Sequence, residues 1–176
     1  MNKLRALVQF IPLTVFVFTF RLTSDWAIAF QMGGLVALVQ VVFLAFTRQK
    51  PDLILSGVNS FLVVGALAFA AKIEPILMVY SRLQEATLFL AILLVALIST
   101  ATLRSGFLGV QEIPRRAAIK GSLILISVVA ASVFMAAHWS GNLWLAGVLP
   151  MIFILVVRKI IRQKFATTLG ISPIDS

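Results

Sequence analysis

The stretch Gly121–Val157, GSLILISVVAASVFMAAHWSGNLWLAGVLPMIFILVV, decides the fold class: 37 consecutive residues without Asp, Glu, Lys or Arg. As one helix it would run about 55 Å, nearly twice the roughly 30 Å hydrocarbon thickness of a bilayer. Ser140-Gly141-Asn142 is a turn signal at its middle. The stretch therefore reads as a helical hairpin with spans over 120–138 and 143–160. Lys120, Arg158 and Lys159 close the two arms and are expected to snorkel toward the headgroups.

Composition carries the same reading across the chain. Its 176 residues are 61% hydrophobic and 12% charged, with a mean hydropathy of +1.07. Soluble domains are about 45–50% apolar and about 25% charged. Twenty-one charged side chains cannot cover so large an apolar mass, which excludes a soluble globular fold. Disorder is excluded too, because disordered chains are poor in apolar residues. Further charge-free runs mark spans over about 4–20, 26–47, 53–71 and 85–103, the first of which needs Arg5 to snorkel. The runs do not alternate as barrel strands would, and lipid-exposed open strands leave backbone groups unsatisfied. The expectation is an all-α, polytopic transmembrane helix bundle of six spans, with residues 1–176 as a single integral membrane domain.

Lys and Arg fall unevenly between the loops. The N-terminus, second loop, fourth loop and C-terminus together carry twelve, and the remaining three loops carry three. The positive-inside rule then places both termini in the cytoplasm. The formal net charge of +9 sits at the ends of apolar runs, so anionic lipid is the indicated partner and nucleic acid is not. Arg115, Arg116, Arg158, Lys159, Arg162 and Lys164 are the expected anionic-lipid contacts on the cytoplasmic side. The basic start followed by an apolar run, with Ala27-Ile28-Ala29 beyond, has the outline of a signal peptide. Arg21 and Asp25 interrupt it, so an uncleaved first span is expected.

Two loops hold more than a connection. Lys72–Arg82, KIEPILMVYSR, reads as an interfacial turn with Tyr80 at headgroup level, or as a short re-entrant segment. Leu103–Gly121 is the longest loop. Gly106 and Gly109 break its start, and Pro114 suits the opening of the fifth helix. Three spans per half would give two halves of inverted topology, as in many transporters, although the halves share no evident sequence similarity.

Few ionisable groups lie within the runs, and uncharged polar residues are more abundant. Arg82 and Glu85, three apart, read as an ion pair fixing a helix end, or with Glu85 as a gate or proton site. Ser56, Asn59 and Ser60 share one face of the third span, Gln31 and Gln40 lie on the second, and Gln84, Thr87, Ser99 and Thr100 on the fourth. Such side chains bond between helices or line a polar path, for which Ser56, Asn59, Arg82, Gln84 and Glu85 are the candidates. Ala29, Gly33 and Ala37, extended by Gln40, form a small-residue face suited to packing within the chain or to dimerisation. His138, Trp139 and Trp144 cluster at the external turn as interfacial anchors, and Trp26 plays that part on the second span. The fourteen Phe residues are lipid-facing or fill the core.

With no cysteine and one histidine, thiolate chemistry and clustered imidazole ligation within one chain are excluded, and no cofactor or metal is implied. No Ser/His or Ser/Lys pair falls at comparable depth, so no enzyme is expected. The opening Phe10-Ile11-Pro12-Leu13-Thr14-Val15-Phe16, after a short basic tail, resembles the start of the intracellular septation protein A family of bacterial inner-membrane proteins. Asn142-Leu143-Trp144, before a last apolar helix and basic tail, is similar to that family's final hairpin. The resemblance implies a multi-pass inner-membrane protein of envelope maintenance or division that acts through protein contacts. Two functions stand side by side: a non-enzymatic protein supporting envelope integrity or septation through protein and lipid contacts, and a small oligomeric transporter or channel. Reporter fusions at Ser176 and at the Asn142 turn are expected to report opposite sides of the membrane; a common side would contradict the last hairpin.

Overall fold

The computed structural model describes residues 10–47, 52–110 and 114–168. Lys3, Leu4, Arg5, Arg48, Lys50 and both chain ends lie outside the described residues. The described chain is helical, with no strand among the described residues. Its elements are α1 (Ile11–Thr23), α2 (Trp26–Phe46), α3 (Leu53–Ala70), α4 (Glu74–Leu83), α5 (Ala86–Thr102), α6 (Arg115–His138) and α7 (Leu149–Thr168), with a π-helical turn, Leu143–Val148, entering α7. Among the described residues, four helices are long and apolar enough to cross a bilayer: α2, α3, α6 and the one spanning Trp144–Phe165. Taking α4 and α5 together as one broken span makes five. These helices fit a multi-pass membrane protein. At 21 residues, α2 is about 31 Å long, close to the hydrocarbon thickness.

The helix starts follow from polar residues that precede apolar runs. Asp25 caps α2, accepting from the N–H groups of Ala27 (2.7 Å) and Ile28 (3.3 Å). Asp52 caps α3 through Ile54 N–H at 2.9 Å, and Asn142 caps the π turn through Trp144 and Leu145. Each satisfies first-turn donors that have no partner inside the helix. Ser24 ends α1 in the left-handed region (φ 53), its N–H donating to the Phe20 carbonyl at 2.8 Å. Ser24 and Asp25 thus join α1 and α2 in a two-residue turn. Arg21, expected in that loop, lies within α1.

The later boundaries move further. The expected fifth span, 120–138, starts at Arg115, since Pro114 opens the helix without needing an N–H. The expected last span, 143–160, continues to Thr168, because Arg158, Lys159, Arg162 and Lys164 are good helix formers and nothing among them ends the helix. Pro150 would press its ring on the Ala146 carbonyl in a regular α-helix. The wider π turn occupies that stretch, and Leu149 N–H reaches back to Trp144 O.

The chain divides into two compact units, Met1–Leu83 and Gln84–Ser176. In the first, α2 packs against both α1 and α3, and small residues set how closely. A Cβ at Gly33 would lie 2.7 Å from Phe16 Cβ, and one at Gly34 would collide with Ala66 and the Leu62 carbonyl. Phe30, wholly buried, lies against Gly65. Around it Phe16, Trp26, Phe61, Phe69 and Tyr80 form an aromatic cluster with ring centroids 4.8–6.0 Å apart. In the second unit α6 packs on α5 and α7 around Phe89, Ile92, Leu125, Val129 and Ile154, all buried. Gly65→Val is expected to destabilise the protein by about 1–3 kcal/mol, because overpacking forces side chains from their rotamers. Thermal unfolding in detergent measures this, and an unshifted transition would contradict the packing of Phe30 on Gly65.

Candidate functional site

Gln40 of α2 and Asn59 of α3 meet, whereas Gln31 of α2 is exposed. Asn59, only 4% exposed, donates from Nδ2 to Gln40 Oε1 at 3.0 Å. Asn59 Oδ1 is buried without a donor. Seven residues separate Asn59 from the Asp52 cap, placing it about 10 Å along α3. Beside it runs a half-open groove of about 510 Å³, lined by Leu38, Val41 and Ala45 of α2 and by Ser56, Asn59 and Val64 of α3, among others. Ser56 donates to the Asp52 carbonyl at 3.0 Å, whereas Ser60 is exposed in the groove. Ala29, Gly33 and Ala37 are buried, and Gly33 faces Phe16 and the Pro12 carbonyl of α1. This small-residue face therefore packs inside the chain.

The segment after α3 forms α4, whose residues are all exposed or half-buried. Ile73, Met78 and Val79 are exposed. Tyr80 fastens the helix to α3, its hydroxyl donating to the Phe61 carbonyl at 2.8 Å. The short helix thus has an apolar exposed side and one firm anchor, which suits a helix lying at the membrane interface.

Gln84 takes φ 43 and interrupts the helix between Leu83 and Ala86. The helical i, i+3 register expected for Arg82 and Glu85 is therefore absent. Arg82 is exposed at the end of α4, while Glu85 precedes α5 and its carboxylate accepts from Gly141 N–H at 3.3 Å. Glu85 so braces the turn that Gly141, at φ 88, shapes between α6 and the π turn.

The second unit holds a feature absent from the charge pattern. Residues 104–109 form a turn that folds inward, with Phe107 and Leu108 wholly buried. Gly106 (φ 57) and Gly109 (φ 73) supply left-handed backbone that other residues rarely adopt. Side chains from three helices satisfy the buried backbone. Phe107 N–H donates to Thr100 Oγ1 of α5 at 3.3 Å, and Leu108 N–H to Ser122 Oγ of α6 at 3.1 Å. Arg162 of α7 donates to the Leu108 carbonyl from Nε (3.2 Å) and Nη2 (2.9 Å). Gly121 gives room for Leu108, Ile161 and Phe165.

This turn separates the basic residues expected at the headgroups. Arg115, Arg116, Lys159 and Lys164 are exposed. Arg162 is half-buried and engaged with the turn. Arg158, one helical turn before it, is only 7% exposed, so it departs from the expected snorkelling: its place on α7 faces the bundle rather than its surface. A glycine pair with a hydroxyl on each flanking span was the available signal. No family model, curated protein or solved structure matches the chain.

Replacing Arg162 with Ala is expected to cost about 1.5–3 kcal/mol, the usual worth of hydrogen bonds from a charged donor. It should also raise maleimide labelling of a single Leu108→Cys thiol, which the cysteine-free chain makes unambiguous. Equal labelling with and without Arg162 would contradict the clamp.

Proposed function

We propose that this is a non-enzymatic, multi-pass protein of the bacterial inner membrane, with six spans and both ends cytoplasmic. In this reading it supports envelope integrity or septation through protein and lipid contacts. The observation that carries the reading is how the polar side chains of the helices are used. The hydroxyls of Thr14, Thr23, Ser56, Thr102, Ser127 and Ser132 each donate to the carbonyl four residues back in their own helix. Asn59 bonds Gln40, and Thr100, Ser122 and Arg162 bond the buried turn. The hydroxyls bonded within their own helix are occupied by its backbone, while the Asn59–Gln40 bond and the bonds to the turn hold helices together, as interhelical hydrogen bonds in membranes do.

The six-span count takes α1 together with the residues before it as a span and α4 with α5 as a broken one. The exposed Arg115, Arg116, Lys159 and Lys164 suit anionic headgroups on the cytoplasmic side. The likeness of Phe10–Phe16 and Asn142–Trp144 to the septation family supports the envelope role. A transport reading draws on the groove at Asn59 and on the helix break at Gln84, since broken helices often mark binding sites in transporters.

Purified protein in liposomes, assayed for ion flux and small-solute uptake, separates the two. The proposal expects no saturable flux, together with discrete crosslinked protein partners in native membranes. Saturable flux lost on Asn59→Ala would overturn it in favour of transport.

A further inference from the structure

We propose that the exposed face of α6 holds one anionic phospholipid of the cytoplasmic leaflet, its phosphate on Arg116 and Lys120 and its acyl chains along the apolar residues that follow. Arg116 and Lys120 stand four residues apart, about 6 Å along the helix axis, and both are exposed. Leu123, Ile124, Ser127 and Ala131 continue the exposed side of the helix. At 3.6 residues per turn, all six fall within an arc of about 100°. On the other side of α6, Ala118 and Ser122 are buried beneath the turn that holds Gly106 and Leu108.

The charge on this face has no counterpart in its unit. Among the described residues, neither Arg116 nor Lys120 makes a hydrogen bond or ion pair. Glu85 is the one carboxylate among the described residues of the unit. It is engaged with Gly141, beyond the other end of α6, a helix of 24 residues and so about 36 Å long. Nor does Arg116 serve the helix, since positive charge in the first turn opposes its dipole. On α7, by contrast, Arg158 is buried and Arg162 is engaged with the turn.

An anionic phospholipid complements both parts of the face. A guanidinium meets phosphate oxygens with paired N–H donors, and the ammonium adds a compact charge. One leaflet of hydrocarbon is about 15 Å deep, half the bilayer core, so tails descending from a phosphate at Lys120 pass about ten residues of α6. Leu123 and Ile124, each 54% exposed, lie within that reach. The Ser127 hydroxyl is bonded to the Leu123 carbonyl and places no polar demand on the tails. A soluble phosphate would meet the cations and leave the apolar strip bare. A zwitterionic headgroup brings its own ammonium, which offsets its phosphate.

This inference rests on the reading that the chain works through protein and lipid contacts, and it fails separately from it. The full chain, purified in neutral detergent, is titrated with phosphatidylglycerol or phosphatidylethanolamine, and bound lipids are counted by native mass spectrometry. One phosphatidylglycerol is expected to bind in preference to phosphatidylethanolamine. Arg116→Gln and Lys120→Gln are each expected to weaken it about fivefold, from the roughly 1 kcal/mol that a basic residue contributes near an anionic membrane surface. Arg104→Gln, an exposed position of the turn packed on the other side of α6, removes the same charge and is expected to leave binding unchanged. Glycerol phosphate, which lacks tails, is expected not to compete. Binding unmoved by the α6 substitutions, weakened equally by Arg104→Gln, or displaced by glycerol phosphate would overturn the proposal while leaving the wider reading standing. No preference for phosphatidylglycerol in the unsubstituted chain would overturn the proposal and the anionic-lipid part of that reading together.

Discussion

Hydrocarbon offers no hydrogen bonds, and every buried backbone group in this chain has to find its partner within the chain. Helices meet most of that demand. Where the helix ladder stops, side chains take over. Asp25, Asp52 and Asn142 cap the starts of apolar helices. The turn at 104–109 is the severest case, because Phe107 and Leu108 carry a non-helical backbone into the interior of the second unit. Thr100, Ser122 and Arg162, from three helices, make that placement tolerable, and they thereby tie α5, α6 and α7 to one loop.

Without a hydrophobic drive between helices, packing in the first unit depends on close approach. Gly33, Gly34 and Gly65 remove side chains where Phe16, Ala66 and Phe30 come nearest, and the aromatic cluster fills the remaining space. Tyr80 adds α4 to this assembly through the Phe61 carbonyl. Among the described residues of this unit, the Asn59 amide oxygen stays buried without a donor, beside a groove that Ser60 also lines.

Charge-free runs place three helices within a residue or two, 26–47 as Trp26–Phe46, 53–71 as Leu53–Ala70 and 85–103 as Ala86–Thr102. They do so because charged residues avoid hydrocarbon and stop near its edge. The same rule misplaces the end of α7, where Arg158 is buried and the helix continues to Thr168. A charge marks a span end only when its side chain turns outward, and hydropathy does not report direction. The meeting of Gln40 with Asn59 was half legible: both lay on adjacent spans as polar residues, but their register depends on the Asp52 cap and the glycine contacts of α2. The inward turn was less legible still, since Gly106 and Gly109 signal a break in the helix without saying which way the chain goes. The Arg82–Glu85 spacing misled because Gln84 leaves the helical region between them.

The central claim is that polar side chains inside the apolar helices are spent on satisfying the chain's own backbone and on joining its helices. Backbone hydrogen exchange at Phe107 and Leu108, in protein reconstituted into lipid nanodiscs, tests it most directly. The account predicts protection of both amides comparable to that of the neighbouring α6 amides, because each is bonded to a buried hydroxyl. Exchange as fast as that of the exposed turn at Ser140 and Gly141 would contradict it.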